Sequence, residues 1–225
     1  MGQECILNFH GIGTPHGNVT QDESFYWLTG QTFTAVLESV AEVRASARIP
    51  ITITFDDGNI SDALIALPEL VKFNLRAKFF VCSARIGAPH YLDSAALVDL
   101  LAAGMEIGTH GRDHQNWRGL DEAALAAELA DARRRIEDVC QIAVTKAAIP
   151  FGSYDRRVLG RLRRERFECV YTSDQWFAQS SAWLKPRYTV NCKSSAQDII
   201  KVITTQPSLN RRLLQHAAMI YKRLR

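Results

Sequence analysis

The chain has no long apolar run. Nothing approaches the roughly 18 apolar residues that a membrane helix requires. The N-terminus, MGQECILNFHGIG, has neither the basic start nor the apolar stretch of a secretory signal. The sixth residue is Ile6 rather than Ser or Thr, so the myristoylation pattern is incomplete. Cysteine offers no framework either. Cys5, Cys82, Cys140, Cys169 and Cys192 contain no C-x-x-C pair and are odd in number, which argues against disulfides and for reduced, mostly buried thiols. A strong charge of one sign is also missing: the net charge of +3 implies no acidic partner by itself. The expected location is cytoplasmic. With 225 residues, 47% of them apolar and 23% charged, the chain can bury one sizeable core in a single globular domain.

What is present is alternation. Short apolar, β-branched runs at 5–12, 51–56, 77–83, 105–109, 145–151, 169–173 and 188–192 read as strands. Helical patterns at 31–46, 61–74, 94–103, 121–140 and 155–165 separate most of them. The helix over 121–140 is the clearest, with Leu125, Leu129, Ile136 and Val139 at helical spacing and Asp121 placed as its N-cap. Such alternation implies βαβ units and a mostly parallel α/β sheet, either a barrel or an open sheet. Both architectures put their sites at the C-terminal ends of the strands. The chemically interesting residues lie there: His10, Asp56-Asp57-Gly58, Thr109-His110, Pro150-Phe151-Gly152 and Ser173-Asp174.

Three motifs carry the chemistry. Adjacent carboxylates Asp56 and Asp57 repel one another at a buried strand end, and leaving both ionised calls for a cation or strong hydrogen bonds. Neighbouring strand residues point to opposite faces, so one site can use both only if the chain turns, and Gly58 gives that freedom. A solvated Asp-Gly turn would look the same. His110 and His114, four apart in H-G-R-D-H, can meet one metal from a helical turn, although two surface histidines are the plainer reading of that motif alone. Taken together, the motifs offer a His, His, carboxylate set with coordination positions left open. Non-haem iron oxygenases share that set, but the alternating strands and the second aspartate, placed as a base, favour hydrolysis. In Pro150-Phe151-Gly152 the proline fixes the backbone, and the N–H groups after it can stabilise an oxyanion.

In this order, T-F-D-D-G, H-G-R-D-H and P-F-G resemble the polysaccharide deacetylase family, carbohydrate esterase family four, over about residues 5–192. The resemblance implies a distorted (β/α)7 barrel and removal of acetyl groups from N-acetylated sugars. It implies one divalent metal, with zinc the expected ion, held by Asp57, His110 and His114. It assigns Asp56 as base and the Phe151 N–H to the oxyanion. Gly111 departs from the family's Ser or Thr between the histidines. Ala148 stands where many members carry the arginine that orients the base, and Arg187 can replace it from another strand. Leu214-Gln215-His216 matches a late family Leu-x-His in letters but lies in a basic terminal segment, so His10 is preferred as acid or substrate contact.

Trp117 and Trp176 follow the motifs closely enough to serve, with Pro150, as sugar contacts. Domain boundaries are expected at 1–204 for the catalytic barrel and 205–225 for a basic helix. The latter carries +5 and no acidic residue, leaving −2 on the rest. Leu209, Leu213, Ala217, Ile220 or Tyr221, and Leu224 give it an apolar stripe, suited either to packing on the barrel or to peripheral contact with an anionic membrane. Nucleic-acid binding has no support, because the basic residues lack interleaved aromatics. Sequence leaves the oligomeric state open. The competing activities are a deformylase or other small-amide amidase, and a non-catalytic sugar-binding barrel.

Overall fold

A computed structural model describes residues 2–47, 49–205 and 209–224, without the side chains of residues 209–212 and 216. Six parallel strands run in sequence order around the sheet: β1 (Gln3–Phe9), β2 (Ile51–Asp57), β3 (Ala77–Val81), β4 (Glu106–Thr109), β5 (Lys146–Ala148) and β6 (Cys169–Thr172). A two-residue β7 (Ala178–Gln179) pairs antiparallel with the start of β1. The seventh barrel strand is broken. Its first half, β8 (Leu184–Pro186), pairs with β6, and its second half, β9 (Tyr188–Thr189), pairs with β1. The break falls at Arg187, which joins the two ends of the sheet. This is the distorted barrel of a single domain that the resemblance implied. The strand expected at 188–192 lies earlier and in two pieces, because Pro186 has no N–H for a continuous ladder.

Strand periodicity sorts the core. Phe9, Phe55 and Phe79 point outward and stack, with centroids 5.4 Å and 4.7 Å apart, under the helical layer that includes α2 (Gly30–Val43). The alternate residues Ile6, Phe80, Ala148 and Tyr171 form a separate interior cluster. Asn8, Thr54 and Asp56 keep the same alternation as Ile6 and are buried there.

The helix over 121–140 forms as α5 (Glu122–Cys140), and the Asp121 side chain accepts the N–H of Ala124 at 2.7 Å. The pattern at 61–74 divides into a π-helical turn (Asp62–Ala66) and α3 (Leu67–Lys72). All five cysteines are free. No helix among the described residues is long and apolar enough to cross a membrane.

The terminal segment forms α8 (Leu209–Leu224). Gln215, Met219 and Lys222 face the barrel: Met219 is buried, Gln215 donates to the Asp174 carbonyl, and Lys222 Nζ lies 2.6 Å from Asp174 Oδ1 and 3.2 Å from the Gly152 oxygen. Leu213, Leu214, Ile220 and Leu224 are exposed. The described part of the apolar stripe therefore faces away from the barrel. The side chains of Leu209 and His216 lie outside the described residues.

Candidate active site

The strand ends open into a cavity of about 820 Å³. Asp56, Asp57, His110, His114, His10 and Phe151 all line it, together with residues 21–23, Phe25 and Tyr26, Ser173, Gln175 and Thr189. Strand alternation points Asp56 into the barrel. Asp57 would then face the helices, but its own backbone turns into the left-handed region at φ 78, followed by Gly58 at φ 72. The turn that lets both carboxylates share one site thus begins at Asp57 itself, one residue earlier than the glycine suggests.

Asp56 is held from inside. Arg187 Nη1 donates to Oδ1 at 2.8 Å and Nη2 to Oδ2 at 2.7 Å, a bidentate pair. Asn8 Nδ2 adds a bond to Oδ2 at 2.9 Å. Arg187 is wholly buried and also donates to Asn8 Oδ1, Thr54 Oγ1 and the Thr172 carbonyl. Burial pushes the Asp56 carboxyl up, but the guanidinium and the nearby His110 outweigh it and hold it well below the ordinary carboxylate range. The arginine absent at Ala148 is thus supplied at Arg187.

Asp57, His110 and His114 form the one group of three potential metal donors found among the described residues. Asp57 Oδ1 lies 3.7 Å from His110 Nε2 and 3.2 Å from His114 Nε2. Donors about 2.0–2.1 Å from one tetrahedral ion stand roughly 3.3 Å apart, so the set fits. Asp57 Oδ1 is buried with no hydrogen-bond partner, which a cation would provide. His110 Nδ1 faces the Ala148 carbonyl at 2.9 Å, which makes Nδ1 the donor and leaves Nε2 free to ligate. Burial lowers the His110 pKa to about 4, keeping the ring neutral. A further acid, Asp62, is fully buried, and burial with the neighbouring aspartates pushes its carboxyl well up. The ionised pair is then Asp56 and Asp57.

The two histidines do not meet on a helical turn. Residues 110–114 form a loop, with Gly111 at φ 85 and His114 at φ 54. Gly111 is required by space as well as by φ: a Cβ there would lie 2.7 Å from Glu128 Oε1 and 3.0 Å from Trp117 Nε1. This explains the departure from Ser or Thr.

Phe151 also has a positive φ, 58°, and its exposed ring lies 4.6 Å from that of His114. The His10 ring lies tilted against that of Tyr26 at 5.1 Å, and its Nδ1 is buried without a hydrogen-bond partner. The expected sugar contacts are corrected. Trp117 is wholly buried under the 110–114 loop, Trp176 is buried beside Phe177, and Pro150 is buried; none lines the cavity. Its aromatic lining is Phe25, Tyr26 and Phe151. Sequence reasoning took the tryptophans for their aromatic faces and their nearness in the chain, but large apolar rings go first to the core.

It also missed Glu23 and Arg85. Glu23 Oε1 is 3.4 Å from His114 Nδ1, and the His114 interaction is the main cause that lowers its carboxyl to about 2. Arg85 Nη1 lies 3.6 Å from Asp57 Oδ1. The only signal in the sequence was the Thr20-x-x-Glu23 capping box, which points to a helix start and not to a site.

The family described as polysaccharide deacetylase matches residues 44–170. YxkH of Bacillus subtilis (strain 168), named as a polysaccharide deacetylase, is 26% identical over 124 residues, which are 55% of this chain and 44% of YxkH. The chain thus spans less than half the length of that relative. The fold is similar to that of the Streptococcus pyogenes deacetylase PplD, solved in complex with acetate, with a TM-score of 0.79 and 16% identity over 90% of this chain and 99% of that one. A Bacillus cereus polysaccharide deacetylase gives 0.77 and 16% identity, covering 90% and 69%. IcaB from Ammonifex degensii gives 0.72 and 17% identity, covering 91% and 98%. With more than half its length matched, and the motif residues converging on one cavity, the chain belongs to the polysaccharide deacetylase family.

Proposed function

We propose that this protein is a metal-dependent hydrolase that removes N-acetyl groups from amino sugars of a polysaccharide, oligosaccharide or lipid-linked glycan precursor. The observation that carries the reading is the pairing, in one cavity, of a carboxylate clamped by Arg187 with a His, His, Asp donor set. A divalent ion held by Asp57, His110 and His114, zinc by expectation, would activate water and polarise the amide carbonyl.

The chain's own residues supply the rest. Asp56, kept ionised and fixed by Arg187 and Asn8, accepts the proton of the attacking water at a carboxylate oxygen. General bases of this kind contribute about 10²–10⁴-fold. The Phe151 N–H meets the developing oxyanion, a role worth about 10²–10³-fold. His10 donates a proton to the departing amine. Phe25, Tyr26 and Phe151 offer faces to the apolar side of a sugar ring.

Acetate release from a panel of N-acetylated sugars, with and without chelator, tests the reading. Chelator-sensitive release on a glycan supports it. Release only from small non-sugar amides would replace it with a general amidase, and sugar binding without release would replace it with a binding module.

Within the same reading, the protein works in the cytoplasm at the inner face of the membrane. The outward leucines of α8 and the +5 charge of 205–225 support that placement. Co-sedimentation with anionic vesicles should fall when 205–225 is removed, and equal binding would remove the idea.

A further inference from the structure

We infer that Glu23 is a positioning residue of the metal centre, orienting His114 and coupling the bound ion to the cavity wall at 21–26. The inference rests on the metal reading above.

His114 turns Nε2 toward Asp57 Oδ1, 3.2 Å away, so Nε2 is the ligating nitrogen. Nδ1 must then carry the proton and needs an acceptor. Two groups approach it. Arg85 Nη2 lies 3.3 Å away but is only a donor and cannot receive that proton. Glu23 Oε1, at 3.4 Å, can. Arg85 lies instead between two acids, 3.8 Å from Glu23 Oε1 and 3.6 Å from Asp57 Oδ1. There it offsets the repulsion of placing Glu23 close to the metal carboxylate.

The second oxygen of Glu23 is already committed. Oε2 accepts from the Thr20 N–H and the Thr20 hydroxyl, both at 2.9 Å, while Thr20 Oγ1 accepts the Glu23 N–H at 3.2 Å. One carboxylate therefore faces His114 Nδ1 with one oxygen and caps the start of α1 (Gln21–Ser24) with the other. The other histidine differs. His110 leans on the Ala148 carbonyl, part of a barrel strand. His114 leans on the segment that also presents Gln21, Asp22, Phe25 and Tyr26 to the cavity. An ion that fixes His114 therefore orders this wall, and by linkage an ordered wall strengthens ion binding.

The test uses the full chain and zinc alone. Competition with a chelating dye should show zinc affinity about 10–100-fold weaker in Glu23→Ala. Glu23→Gln keeps an acceptor and should lose less. Hydrogen exchange on the wild type should show zinc protecting 20–28 as well as 107–114, whereas in Glu23→Ala the protection should be confined to 107–114. Unchanged zinc affinity in Glu23→Ala would overturn the inference. So would zinc protection of 20–28 that survives the substitution. A wild type that binds zinc without protecting 20–28 would overturn the coupling while leaving the metal reading standing, and a wild type that binds no zinc would overturn both.

Discussion

The two aspartates of one dipeptide live in opposite surroundings. Asp56 sits inside the barrel on regular strand geometry, and Arg187 and Asn8 bond both its oxygens. Asp57 sits at the mouth on a left-handed backbone, with Oδ1 buried and without a hydrogen bond. The histidine beside it, His114, and the oxyanion candidate Phe151 also have positive φ, a conformation that costs non-glycine residues energy and persists where the surroundings impose it. The charge of Asp56 is balanced as folded. Around Asp57 the backbone is strained, and the Arg85 guanidinium faces its Oδ1 at 3.6 Å without a hydrogen bond. Asp56 is fixed in orientation and charge by bonds to both its oxygens within the barrel, whereas Asp57 and His114 face one another where the strand ends and the loop leave regular backbone geometry.

The largest break in that contrast should come from Arg187→Met. Removing one partner of a buried pair costs about 3–5 kcal/mol, to be read from denaturant unfolding. Without the guanidinium, burial alone would push the Asp56 carboxyl up. Its proton would then be held at higher pH, and the acid limb of the activity profile should move upward. In the wild type the ionised carboxylate contributes stability that is full above the ordinary carboxylate range, falls away as the pH drops through and below that range, and is gone only below the lowered native pKa. An unmoved acid limb in Arg187→Met would contradict the assignment of Asp56 as base.

Exchanging each aspartate in turn sharpens the comparison. Asp56→Asn should lower turnover by about 10²–10⁴-fold while zinc stays bound, and Asp57→Asn should lose zinc itself, both measurable by calorimetry. Equal zinc loss in the two variants would mean that both carboxylates ligate.

The smallest effect should come from Gly111→Ser, which restores the family's usual residue type. Positive φ and the crowding by Glu128 predict a loss of about 1–3 kcal/mol, seen as a lower melting temperature. A neutral outcome would show that Glu128 and Trp117 yield readily.

Much of this was legible in the chain. Alternating periodicity and strand-end motifs outlined the α/β architecture, because backbone pairing and strand alternation are local rules. T-F-D-D-G, H-G-R-D-H and P-F-G picked out the carboxylates, histidines and backbone turn that line one cavity, because each motif falls at the C-terminal end of a strand. Other features needed the folded chain. Arg187 lies 131 residues from Asp56, and only barrel closure between β6 and β1 brings it there. Glu23 meets His114 at the barrel mouth, where the segments that follow β1 and β4 come together. Trp117 looked available because it follows His114 closely, but its direction was decided by packing under Gly111. The sequence by itself determined which groups could do the chemistry. Tertiary structure decided which of them share a cavity and which fill the core, because contacts between distant segments depend on how the whole barrel closes.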